Sequence, residues 1–273
     1  MTRRCLMAFM LMSALVESVA HAGALCDRGA LFQGPLQIGL APGDQGLGRT
    51  VCARTGFSIA LGANALLDTP NFFGTLAGTG TVRGSYSLGD RLVFFGSWDT
   101  AQYRFIQNAT LSESKLSVGT ASVGAQWQVW RSERYAIAPA LRLVLPTSSV
   151  YLNTVPFAAD LMLLAQWNAF ETVAFHGELG LTGSAAFSAG DMDSRLGFTM
   201  LAGAQWNVRP WFAGVAEAGA VLGSAATPTQ VTVAPGLRFG WSEHYALELC
   251  GIVPVAGTTR TTFAGALRFG WRL

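Results

Sequence analysis

The chain has 273 residues, enough for one large domain or two small ones, and only 12% of them are charged, about half the share usual in a soluble protein. Eighteen basic and sixteen acidic side chains give a formal charge of +2, almost all of the positive charge being Arg because Lys115 is the sole lysine. This balance gives no case for binding nucleic acid or another polyanion, and no phosphate-binding loop, zinc pattern or nucleic-acid motif is present.

Residues 1–22 read as a secretory signal peptide. Arg3 and Arg4 form the basic start, Leu6 to Val16 the apolar core, and Ala20-His21-Ala22 a small-residue cleavage site before Gly23. Losing Arg3, Arg4 and Glu17 with it leaves sixteen basic and fifteen acidic groups, a balance of +1. Beyond this leader no apolar run approaches the roughly 18 residues a membrane helix needs. A membrane-embedded chain of this kind must cross with strands. Residues 23–49 are rich in Gly, carry Pro35 and Pro42, and show no sustained period; they are expected to form a periplasmic or lumenal segment. An exported chain permits a disulfide, with Cys26 and Cys52 the expected pair and unpaired thiols the alternative.

From residue 50 to the end the pattern is strand-like. Twelve candidate strands fall at about 51–61, 75–87, 92–98, 116–129, 135–145, 156–167, 172–182, 196–207, 211–221, 231–241, 245–255 and 262–273. Most match the 9–11 residues with which a tilted strand spans a bilayer. Short connections (Gly89-Asp90, Arg131 to Arg134, Asn168 to Glu171, Arg209-Pro210, Ser242 to His244) alternate with longer ones at 62–74, 99–115, 146–155, 183–195, 222–230 and 256–261. The expected fold is an all-β, transmembrane, antiparallel up-and-down barrel of about 12 strands, with its short turns in the periplasm.

Aromatic residues mark the short-turn ends. Trp127, Trp167, Trp206, Trp241 and Trp271 recur 40, 39, 35 and 30 residues apart, and Gln126-Trp127, Gln166-Trp167 and Gln205-Trp206 repeat as dipeptides. With Trp130, Tyr135, Trp211 and Tyr245 they form the expected interfacial girdle. Alternation puts bulky apolar residues on one face of each strand and the charges on the other. A secreted β-sandwich would turn the apolar face inward, but its outer face would then be mostly Gly, Ala, Ser and Thr, and Trp would have no reason to gather at one end. Lipid outside and water inside accounts for both.

The inward set supplies the candidate functional residues. Arg54, Arg83 and Arg268 come from strands that become neighbours on closure, and Glu178, Glu217 and Glu248 come from another wall; Arg142 and His176 join the same belt. Opposed walls would set a transverse field in a constriction and tune permeation. The competing reading has Arg238 pairing with Glu217 and Glu248, so that the lumen is braced and closed. No catalytic step is expected. His176 and Glu178 share a face, but the candidate nucleophile, Ser184, falls in a predicted loop, which leaves outer-membrane lipid hydrolysis as a minor alternative. Asp191-Met192-Asp193 lacks the further ligands of a calcium loop, so neither metal nor cofactor is expected.

Two stretches resemble known families. Phe263 to Leu273 alternates without error and ends on an apolar residue, which resembles the terminal β-signal of Gram-negative outer-membrane barrels and implies recognition by the barrel-assembly machinery. Tyr135-Ala-Ile-Ala-Pro-Ala-Leu-Arg-Leu-Val-Leu-Pro-Thr147 resembles the porin-like "transporter" or MetA-like outer-membrane families, in which such a strand leads into an outer loop. That resemblance implies a barrel moving small, often hydrophobic compounds. The function expected is a passive outer-membrane pore for small solutes, with membrane lipid as its surroundings. The alternative is a closed structural barrel serving as subunit or anchor of an envelope complex with a protein partner.

Overall fold

The computed structural model describes residues 55–68, 73–107, 112–147, 155–170, 172–188, 191–223, 229–240, 245–257 and 261–272. Among them lie fourteen strands: β1 (Gly56–Asp68), β2 (Phe73–Leu88), β3 (Leu92–Gln107), β4 (Ser112–Ser117), β5 (Ala121–Trp127), β6 (Trp130–Arg131), β7 (Tyr135–Leu145), β8 (Val155–Asn168), β9 (Val173–Ser188), β10 (Asp191–Arg209), β11 (Phe212–Gly223), β12 (Gln230–Gly240), β13 (Tyr245–Gly257) and β14 (Thr261–Arg272). No described helix is long and apolar enough to cross a membrane.

All pairings are antiparallel, and the sheet closes on itself. β1 pairs with β2 on one side and β14 on the other, and β2 pairs with β3. β4 lies along the far half of β3 and β5 along its near half, while β5 and β6 both lie along β7. Strands β4, β5 and β6 are thus successive pieces of one stave, interrupted at Val118 to Thr120 and again at Gln128-Val129. From β7 onward each strand pairs with the next, through to β14. The fourteen strands therefore make twelve staves of an up-and-down barrel. Closure gives every stave a partner on both sides, the condition for placing a sheet in hydrocarbon; among the described residues β4, at the long-loop end, pairs with β3 alone.

The staves fall where alternation places them, but several run further. The expected connection at 99–115 is mostly strand, since β3 continues to Gln107 and β4 begins at Ser112. Likewise β9 and β10 pair out to Ser188 and Asp191, absorbing the expected 183–195 loop. β10 has 19 residues, and β3 and β9 have 16 each. A bilayer needs about 9–11, so these hairpins project past the hydrocarbon on the long-loop side. At the other end the turns are tight. Between β2 and β3 the chain reverses through Gly89, whose φ of +67° suits a residue without a side chain.

One face of the wall is apolar and exposed. Phe57, Ile59, Leu61, Phe94, Trp98, Leu141, Leu161, Leu163, Leu179, Leu181, Leu249 and Phe269 all point outward. At the short-turn end Trp127, Trp130, Tyr135, Trp167, Trp206, Trp211 and Tyr245 are exposed on the same outer surface. Tyr135 stacks on Trp167 and Trp167 on Phe175, following the β7–β8–β9 register, and Tyr245 stacks on Phe269. Trp271 occupies the same end of β14, in register with Tyr245 and Phe57. Trp241 lies outside the described residues.

The opposite face is covered. Ala136, Ala138, Ala140, Met162 and Leu164 form a small apolar cluster on the inside of β7 and β8. Around them are buried polar and charged residues from most other staves. The barrel is apolar toward its surroundings and ionised toward its axis, the inverse of a water-soluble sandwich.

Candidate functional site

Among the described residues, three ion-paired rungs line the lumen. Their partners are fixed by register, because residues directly opposite on adjacent strands lie about 5 Å apart and on the same face. On β12, β13 and β14 the residues in one row are Arg238, Glu248 and Arg268. Arg238 Nε donates to Glu248 Oε1 at 2.8 Å, and Arg268 Nε donates to Glu248 Oε2. One carboxylate is thereby held between two guanidiniums, with 2% of Glu248 exposed. Arg238 Nη1 reaches on over β11 to donate to Gln205 Oε1 on β10. It can do so because the inward residues of β11 beside it, Ala213 and Val215, are short.

Crossing the closure, the row continues from Arg268 to Ala60, Thr81 and Asp99. Asp99 is buried, accepting from Thr81 Oγ1 at 2.9 Å and from Thr120 Oγ1 at 3.4 Å. A second rung joins Arg142 of β7 to Asp160 of β8, again directly opposite, with Nε donating to Oδ2 at 2.5 Å. A third spans two strand spacings. His176 of β9 and Glu217 of β11 both face Gly203 of β10 in register, and His176 Nε2 meets Glu217 Oε1 at 2.9 Å over it. A Cβ at Gly203 would sit 2.7 Å from Glu217 Cγ and closer still to His176 Nε2. The missing side chain is what lets these two groups touch.

Arg83, Arg142, His176, Glu178, Glu217, Arg238, Glu248 and Arg268 all face inward and are buried, while Arg54 lies outside the described residues. They do not meet as a basic wall across from an acidic one. Arg268 and Glu248 are neighbours on adjacent strands, and Arg142 finds its carboxylate in Asp160, which the expected belt omitted. The reason is distance: a partner one strand away, out of water, attracts far more strongly than one across the lumen. Arg238 pairs with Glu248 as the braced reading has it, and Glu217, although Ala234 is the residue of β12 directly opposite it, also attracts Arg238 electrostatically.

Ser184 is part of β9 and not of a loop. It stands eight residues from His176 on the same strand, about 26 Å at the usual rise, so the two do not form a nucleophile–base pair. Asp191 and Asp193 belong to β10, and among the described residues no three His, Cys, Asp or Glu are grouped to hold a metal ion. Cys250 is buried on the inside of β13, in register with Gly236 and Ala266. The proposed Cys26–Cys52 disulfide and the expected signal peptide lie outside the described residues.

No family model matches the sequence, and no curated protein matches it. Solved structures do. An outer-membrane channel from Pseudomonas putida F1 superposes with a TM-score of 0.64 at 11% identity, over 88% of this chain and 100% of that one. The β domain of the Bordetella autotransporter BrkA gives 0.55 at 9%, over 81% and 100%, and the NanC porin 0.52 at 8%, over 80% and 98%. Identities this low speak for the fold: the chain has the architecture of outer-membrane β-barrels.

Proposed function

We propose that this protein is a porin-like channel of the outer membrane, through which small solutes diffuse passively. The observation that carries the reading is the inside-out distribution of chemistry: ionised Arg, Asp and Glu around the axis of a closed wall whose outer face is Leu, Phe and Trp. Solved channels and porins of the same architecture support it. The run to Leu145-Pro146-Thr147 points to the small-compound transport of MetA-like barrels. Delivery would follow from the leader at residues 1–22, and insertion from the terminal strand acting as substrate of the barrel-assembly machinery. The rungs set ion selectivity at the narrowest level. Purified protein in planar bilayers is expected to give discrete conductance steps. Silence that persists when residues 23–49 are deleted would remove the channel reading.

One observation favours a second reading. Residues of the rungs are only 2–8% exposed, as in a braced barrel whose interior bears load instead of passing solute. Such a barrel would anchor an envelope complex, and its mark would be copurification with a stoichiometric partner together with electrical silence.

A further inference from the structure

The inner wall is covered more completely than its own side chains allow. Ala138 and Ala234 are 0% exposed, and Leu164 and Ile252 1%. They come from β7 and β8 on one side of the barrel and from β12 and β13 nearly opposite. A side chain bordering a water-filled bore is exposed to it, so other protein atoms lie over these residues. Their neighbours on the wall are too short to do this. Met162 is 3% exposed between Ala140 and Gly180, Leu164 stands beside Ala138, and Ile252 beside Ala264. The far wall does not reach them either. Twelve staves close on a radius of about 12 Å, so facing backbones are about 24 Å apart, whereas sheets with touching side chains pack about 10 Å apart.

The cover must come from chain outside the described residues. After Thr55 those stretches are at most seven residues long, at 148–154. The chain ahead of Thr55 is much longer, and it joins the barrel at the short-turn mouth, where Ser87 N donates to Thr55 Oγ1 at 3.0 Å. With the leader removed, the 27 residues 23–49 remain before the strand pattern begins. Extended, they would reach about 90 Å, several times the roughly 25 Å of the apolar band, so they can enter the bore and cross it more than once. Their chemistry suits the wall. Leu31, Phe32, Leu36, Ile38 and Leu40 offer apolar surface to the cluster of Ala138, Ala140, Met162 and Leu164. Asp27 and Asp44 balance Arg28 and Arg49, so the segment brings no net charge into a lumen whose own ions are paired.

We propose that residues 23–49 fold back into the lumen as a plug docked on the inner face of β7 and β8, and that solute passes when the plug leaves. The second clause rests on the channel reading; the docking does not. Cys250 reports the cover, being 5% exposed on the inside of β13. In full-length barrels with Cys26 and Cys52 changed to Ser, a small charged maleimide is expected to label Cys250 slowly. Phe32→Asp with Leu36→Asp sets carboxylates against the apolar cluster and should speed labelling at least about tenfold, as should deletion of residues 23–49. Ala138→Cys, with Cys250→Ser, reads the β7 side in the same way. Rates are compared among proteins that migrate as closed barrels before heating, and the substituted full chain serves where the deleted one does not close. Equal rates in substituted, deleted and unaltered barrels overturn the plug, whether another segment covers the wall or nothing does. Current in planar bilayers separates the two readings. Faster labelling of the variants with no current in any of them keeps the plug and ends the channel, whereas equal labelling and equal current with and without residues 23–49 end the plug and keep the channel.

Discussion

Glu248→Gln is the most informative single change, because one carboxylate is shared by two guanidiniums. Its geometry permits a magnitude. Twelve staves about 4.8 Å apart and tilted about 40° close on a radius of about 12 Å, which places a carboxylate reaching about 5 Å inward at about 7 Å from the axis. In a watery lumen a unit charge at that distance is worth about 0.6 kcal/mol. Removing a negative charge helps an anion and hinders a cation equally, so the difference is about 1.2 kcal/mol, or an eightfold shift toward anions. The reversal potential under a potassium chloride gradient reads this directly, at ionic strengths near or below about 0.1 M, where the Debye length of about 10 Å still exceeds the distance. Stability should fall as well. Breaking a buried pair costs about 3–5 kcal/mol, and the retained amide oxygen, still able to accept from one Arg, puts the loss near the lower end. A folded variant with an unshifted reversal potential would show that the Arg238–Glu248–Arg268 rung does not face the conducting path.

Gly203→Ala should separate His176 from Glu217 and destabilise the barrel by about 1–3 kcal/mol, measured by urea titration in detergent or liposomes, because the added methyl meets both side chains. Exchanging the second rung tests pairing as such: Arg142→Asp and Asp160→Arg should each cost about 3–5 kcal/mol alone, and the double exchange should recover most of it. On the outer wall Leu161→Arg should cost about 2–4 kcal/mol and slow insertion into liposomes, as a charge facing lipid near the midplane does. An unchanged urea midpoint for Leu161→Arg would contradict the assignment of that face to hydrocarbon.

The sequence was most legible where hydrocarbon touches the wall. Within the bilayer the outer position of every stave must be apolar, so a period of two appears and parity follows; Leu161, Leu163 and Trp167 against Asp160, Met162 and Gln166 is a typical stretch. Past the hydrocarbon that demand ends. Beyond Trp98, β3 reads Asp-Thr-Ala-Gln-Tyr-Arg, which carries no such pattern, yet its backbone bonds continue to β2 and β4 as far as Gln107. Hydrogen bonding extends a strand without leaving a signature in its side chains, which is why the tall hairpins read as loops. The breaks in the β4–β5–β6 stave were hidden for the same reason.

Charge partners were hidden by a different limit. Parity says which face a residue takes but not which residue lies opposite, since sliding a strand by two positions keeps every face and changes every partner. In a wall whose outer residues are interchangeable Leu, Val and Phe, lipid contact distinguishes such slips weakly. The rungs distinguish them strongly. A two-residue slip of β13 against β12 would put Ala246 or Cys250 opposite Arg238 and leave a guanidinium facing a methyl or thiol in a covered interior, where the cost of an uncompensated ion is several kcal/mol. The same holds for Arg142 against Asp160, and for His176 and Glu217, which meet only while both are aligned with Gly203. Hydrocarbon therefore selects the faces, and the paired charges inside select the register. A barrel built this way has a lumen chemistry that cannot be neutralised residue by residue without loosening the wall that carries it.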